Sequence, residues 1–344
     1  MNLELLGSWS FTAPKKPSGP FFFSAGEHLA AQLDDGTLEV RRGVKDLPVV
    51  ASVKLPKGAS AALDPRGGRI AYVVGSKVTL ADLSGKALET AALDEEFALT
   101  SVEFRKDGAR LWVLGQTSEG FRVYAFDRDL GLDFEQVFDF GEGTSTSVEV
   151  LHPTKDDLVL ITQSGDEDPD EATSGRVGVV RENGKLEIVF DDQGPSYPCV
   201  GFTPDGASLI GVDFSGVTLH PWPAYVGSRE APQPEGSEGG LAGIVVGARL
   251  LTERHDENRP ETTSSLLVLS LPSLEEEAVI SWNKRGDFAK PKDSAGLDLS
   301  AAIGDDRFLE LSPGKKGVWT CRAWRLAPLR GPSAPAIRTE CGPR

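Results

Sequence analysis

Short apolar runs, tight polar turns and alternating strands recur along the chain as one repeated unit. The clearest copy is Phe202-Thr-Pro-Asp-Gly-Ala-Ser-Leu209, followed by Ser215-Gly-Val-Thr-Leu219. Phe104-Arg-Lys-Asp-Gly-Ala-Arg-Leu111, Leu63-Asp-Pro-Arg-Gly-Gly-Arg-Ile70 and Leu151-His-Pro-Thr-Lys-Asp-Asp-Leu158 keep the same offset. Shorter copies run from Phe23 to Leu29, Ile244 to Leu250 and Ala302 to Phe308. The apolar residue closing each turn falls at 29, 70, 111, 158, 209, 250 and 308, at intervals of 41, 41, 47, 51, 41 and 58. The longer intervals carry polar insertions, such as Gln163 to Ser174 and Thr252 to Thr263.

Third strands follow at period two in Thr37–Val40, Lys77–Leu80, Arg122–Ala125 and Arg176–Val179, with a more apolar version at Ser265–Leu269. Fourth strands are drawn through Val49–Leu55, Glu135–Phe140, Leu186–Phe190 and Ala278–Trp282, and have no clear place elsewhere. No segment outside the turns sustains a capped 3.6-residue pattern. The expectation is an all-β, seven-bladed β-propeller with four-stranded antiparallel blades, because radial stacking buries both faces of small sheets. In the last repeat, Arg307–Leu311 reads as the inner strand and Val318–Trp324 as its neighbour. The unpartnered strand Leu3–Phe11 supplies the missing outer strand, so the N-terminus closes the last blade. An eight-bladed ring, irregular sandwich repeats and a two-domain enzyme are the competing architectures.

The Phe202–Leu209 turn and its relatives resemble the apolar-Ser-Pro-Asp-Gly-x-x-Leu turn of WD40-like and related bacterial propeller repeats. The resemblance covers roughly residues 1 to 328. The Gly-His and Trp-Asp dipeptides of standard WD40 repeats are absent, although Asp82 and Asp127 end third strands where the family aspartate stands. It implies a rigid disk whose unequal loops bind a protein or peptide across a ring face. Residues 1–328 thus form a single propeller domain, and 329–344 a Pro-rich, flexible tail. From 315 to 344 the bases Lys315, Lys316, Arg322, Arg325, Arg330, Arg338 and Arg344 face the single acid Glu340.

The formal charge of −16 comes from 36 Lys and Arg against 52 Asp and Glu. It argues against direct nucleic-acid binding, which relies on cations neutralising phosphates. Cys199, Cys321 and Cys341 are too few and too scattered for a disulfide framework or a cysteine metal cluster. The start shows no signal-peptide pattern, and the longest apolar run, Leu241–Ala248, is far short of a membrane span. A cytoplasmic location without membrane insertion is expected, with homo-oligomerisation left open.

Chemical motifs are sparse. G-x-S-x-G, G-x-x-x-x-G-K-[ST], H-E-x-x-H and C-x-x-C are all missing. His28, His152, His220 and His255 occupy different repeat positions, which disfavours a shared metal site. The acidic run Asp166, Glu167, Asp168, Pro169, Asp170, Glu171 could offer oxygen ligands to Ca²⁺ or another divalent cation. It lacks the glycine and final glutamate of an EF-hand, so it reads as a solvated insertion facing a basic partner, and no cofactor is expected. Glu142, Glu149, Asp213, Asp287 and Asp298 lie near strand ends, where a hydrolase or lactonase would gather carboxylates around a central pocket. No pair among them is singled out. Phe21–Phe23 and Trp112 read as packing residues. Pro195-Ser-Tyr197-Pro198 and Pro221-Trp222-Pro223-Ala-Tyr225 hold aromatics at loops, and Trp222 and Tyr225 are the favoured partner contacts. The leading reading is a non-catalytic interaction scaffold using Trp222, Tyr225 and the acidic run. The alternatives are a metal-dependent hydrolase or lactonase-like enzyme, and a ligand-binding sensor or structural subunit.

Overall fold

A computed structural model describes residues 2–12, 22–25, 27–33, 35–42, 48–94, 97–138, 144–151, 158–164, 174–180, 185–192, 199–213, 216–224, 227–231, 237–256, 265–281, 300–313 and 318–327. Their strands form seven four-stranded antiparallel sheets. In chain order the sheets, or blades, draw on residues 22–54 (blade I), 60–92 (II), 98–138 (III), 144–192 (IV), 199–230 (V), 237–281 (VI) and 300–327 with 2–12 (VII). Within blades I to VI strand order follows chain order. In blade VII the strand Asn2–Thr12 lies outside Val318–Ala327, with register running from Asn2 opposite Ala327 to Thr12 opposite Val318. The N-terminal strand therefore closes the last sheet.

Two details differ from expectation. Arg307–Pro313 is the second strand of blade VII, and the innermost is the three-residue Ser300–Ala302, too short to announce itself by alternation. The fourth strand of blade II, Ala87–Ala92, is exposed at nearly every position and so carries no buried-face pattern. That of blade V is only Arg229–Glu230.

The cores lie between blades, as sheets with two apolar faces require. Leu38, Val40 and Val53 of blade I pack with Leu63 and Ile70 of blade II. Val73 and Leu80 of blade II meet Phe104, Leu111 and Phe126 of blade III. Blades V and VI share Ile210, Leu219, Leu250 and Leu269, and blades VI and VII share Leu251, Val268, Phe308 and Trp324. At the closing seam, Leu29 and Ala31 of blade I pack with Phe11, Leu309 and Cys321. Each fully buried leucine or phenylalanine contributes about 2–3 kcal/mol.

Strand direction gives the ring two rims. First-to-second and third-to-fourth turns emerge at one, here the lower rim. Second-to-third hairpins and the connections between blades emerge at the other, the upper rim. The repeated turn motif builds the lower rim. The N–H groups of Asp64, Arg105 and Thr203 donate to the carbonyls of Arg69, Arg110 and Ser208 at 2.9–3.0 Å, with glycine at positive φ inside each turn. Asp107 and Asp205 accept from the N–H two residues on. Glycine also lets successive turns touch: a methyl at Gly67 would land on the His28 imidazole of blade I, and one at Gly108 on the Asp64 carboxylate of blade II.

Third-to-fourth turns add latches. Leu130 and Leu274, both at φ 62°, are left-handed non-glycine residues. Burial of their side chains against the preceding blade offsets the strain. Beside them, Arg69 of blade II donates to the Arg128 carbonyl of blade III at 2.7 Å, and Arg229 of blade V to the Pro272 carbonyl of blade VI.

Candidate protein-interaction surfaces

The expected contact residues divide between the two rims. Trp222 follows the third strand of blade V, Gly216–Pro221, and therefore sits at the lower rim. The residue is 9% exposed, and its ring is edge-on to Phe202, with centroids 5.1 Å apart. Its backbone N–H donates to the Ala207 carbonyl, while Pro223 and Ala224 are exposed. Most of the indole is thus spent on packing the corner. Tyr225 lies outside the described residues, as do Asp166, Glu167, Asp168, Asp170 and Glu171. The strand ends flanking the acidic run, Ser164 and Ser174, pair at the upper rim.

The remaining candidates stay apart. His28 and His220 lie on blades I and V, and His255 on blade VI opposite Glu238; His152 is outside the described residues. Glu149 lies on a first strand opposite Leu160, and Asp213 on a second strand opposite Gly216. Glu142, Asp287, Asp298, Tyr197, Cys341 and the 329–344 tail lie outside the described residues. Among those described, no three His, Cys, Asp or Glu side chains gather as a metal site would need. No described helix is long and apolar enough to cross a membrane.

Several single residues have structural occupations. Asp82 turns its chain back by accepting from Ser84 and Lys86, and the Ser84 hydroxyl foremost holds its carboxyl below the usual range. Asp127 likewise accepts from the backbone N–H groups of Asp129 and Gly131. Cys321 is fully buried, and burial first, then the Glu310 charge, raises its thiol well above the ordinary value. Such a thiol is inert while the blade is closed.

His220 is 6% exposed, and desolvation lowers its pKa. The folded protein therefore holds it neutral while the unfolded chain protonates near the ordinary imidazole value of 6.5. Its contribution is complete above that pH and is lost as pH falls from there toward the lower folded value. Urea titrations across this window should show stability declining with acid, with a shallower decline in His220→Gln than in the wild type. Equal slopes would contradict the assignment.

Charge clusters escaped the sequence reading because their members come from different strands. Arg122 at the upper rim of blade III reaches Asp94 at 2.6 Å, Glu135 at 2.8 Å and Glu119 at 3.3 Å. Desolvation opposes its charge, but Tyr124, Asp94 and Glu135 outweigh it and raise the pKa. Glu310, nearly buried, accepts the Trp324 indole N–H at 3.0 Å and lies 3.5 Å from Arg322. Arg122 and Glu135 are diagonal neighbours on adjacent strands, a pairing that depends on the register between the two strands as well as on their placement.

No family model and no curated protein matches the sequence. Among solved structures, the chain is similar to the β-propeller domain of Cps50 (Swd1) from Myceliophteria thermophila. The TM-score is 0.62 with 12% identity, covering 95% of this chain and 100% of that one. The fold is a β-propeller. At this identity the likeness concerns architecture. It agrees with the closed ring of four-stranded sheets.

Proposed function

We propose that the chain is a non-catalytic protein-interaction scaffold acting in the cytoplasm, with its principal contact surface on the upper rim. The carrying observation is an asymmetry of connections. The longest ones, 13–21, 165–173, 257–264 and 282–299, all join strand ends at the upper rim, whereas the longest lower-rim turn is 222–228. Variable loops on a rigid base are where recognition concentrates, and WD40-like architecture commonly serves protein partners. Asp166, Glu167, Asp168, Asp170 and Glu171 would steer a basic protein segment to this rim, and the −16 body favours such a partner over a nucleic acid. Trp222 and Tyr225 form a separate lower-rim contact, in which Trp222 supports the corner from beneath.

The test is capture from cytoplasmic extract at physiological salt, with the intact chain as bait. A second bait has Asp166, Asp168 and Asp170 changed to Asn, and Glu167 and Glu171 to Gln. A basic partner is expected to bind the first bait and lose roughly tenfold or more in affinity for the second, mostly through slower association. Unchanged affinity would remove the acidic run from the contact.

A further inference from the structure

Within this acidic protein, the lower rim at the junction of blades II and III gathers cations. Arg66 comes from the first turn of blade II, and Arg105 and Lys106 from the equivalent turn of blade III. Gly108, in the turn that carries Arg105 and Lys106, lets Arg66 approach that turn: the Arg66 Nε lies 3.6 Å from the position a Cβ on Gly108 would occupy. The nearby carboxylates are largely committed. Asp64 is buried and bonded to Arg69 and to the Arg66 N–H. Asp107 holds the Ala109 N–H and lies 3.4 Å from Arg105. Arg66 and Lys106 are exposed, and among the described residues neither has a carboxylate within ion-pairing distance. Enough protein surrounds Lys106 that desolvation lowers its pKa, with Glu103 acting in the opposite sense.

We infer that Arg66, Arg105 and Lys106 form a docking point for an acidic peptide segment of a partner protein, on the rim opposite the acidic run. The inference rests on the scaffold reading and extends it to a second surface of opposite charge preference. Two exposed cations on adjacent rigid turns, with a third held by Asp107, can meet successive carboxylates of an extended chain. The turns are fixed by backbone hydrogen bonds, so their backbone needs little ordering on binding and the cost is that of the side chains. Elsewhere the −16 body repels such a segment, which confines it to this sector.

The probe is a fluorescein-labelled deca-glutamate peptide, followed by anisotropy with the intact protein at about 50 mM salt, where screening is weak. The wild type should bind it, with affinity falling as salt rises. Arg66→Ala with Lys106→Ala should weaken binding on the order of tenfold. The control pair Arg42→Ala with Lys57→Ala removes equal charge from exposed positions elsewhere and should stay within about twofold. No binding by the wild type, unchanged binding by the first pair, or equal weakening by the control would each overturn the inference. Displacement by millimolar inorganic phosphate would assign the cations to a phosphate ligand and also overturn it. Circular dichroism of both pairs separates these outcomes from misfolding. The upper-rim capture experiment does not involve these residues, so either reading can fail alone.

Discussion

Replacing Arg69 with alanine is expected to cost about 3–5 kcal/mol of stability, because the change strands a buried carboxylate. Asp64 is 2% exposed, and the Arg69 Nε and Nη2 both lie 3.3 Å from its Oδ2. The same guanidinium crosses to blade III, donating to the Arg128 carbonyl at 2.7 Å and to Asp129 at 3.3 Å. Arg69→Ala therefore removes an inter-blade latch and leaves a charge that water cannot reach. Urea denaturation measures the loss. The double variant Asp64→Ala with Arg69→Ala decides the cause: without the stranded charge it should be less destabilised than Arg69→Ala alone, a coupling that additive packing losses would not produce. If the double variant is instead the less stable, latch loss rather than desolvation dominates.

That latch illustrates where sequence reasoning stops. Leu63-Asp-Pro-Arg-Gly-Gly-Arg-Ile70 announces its turn, since the positive-φ glycine and the apolar flanks are local requirements. The reach of Arg69 to Arg128 depends on how neighbouring blades are stacked, which no local pattern encodes. Strands alternating between core and solvent were readable, as at Thr37–Val40. Ala87–Ala92 was not, because exposure at nearly every position removes the alternation. The site residues follow the same logic. Proline and tryptophan at 221–223 mark a corner, but whether the indole faces solvent or Phe202 depends on the cross-strand pairing that brings the two together. The separation of that corner from the acidic run needs only strand direction, and counting strands from each turn could have disclosed it.

The closing strand should control the chemical reactivity of Cys321. The thiol lies on Val318–Ala327 directly opposite Trp9 of the N-terminal strand, in a core shared with Leu29 and Ala31 of blade I. Trp9 in turn lies under the Arg41 guanidinium of blade I, 5.1 Å from ring centroid to cation, and Arg41 pairs with Glu39 at 2.7 Å. One side chain thus ties the N-terminal strand, the last blade and the first blade together. Trp9→Ala removes that packing and the cation–π contact, about 2 kcal/mol for a half-buried ring. If labelling of Cys321 requires this strand to lift, its rate should rise roughly thirtyfold, since each 1.4 kcal/mol is a factor of ten. Trp9→Phe keeps a ring beneath Arg41 and should rise much less. The measurement uses a background with Cys199 and Cys341 replaced by serine, so a single thiol is followed under native conditions. A chain beginning at Ala13 should label at the rate of an unfolded thiol, because its last sheet lacks an outer strand and its core is uncovered. Should Trp9→Ala lower global stability by urea yet leave Cys321 labelling unchanged, opening of the N-terminal strand is not the route to the thiol, and the seam opens elsewhere in the ring.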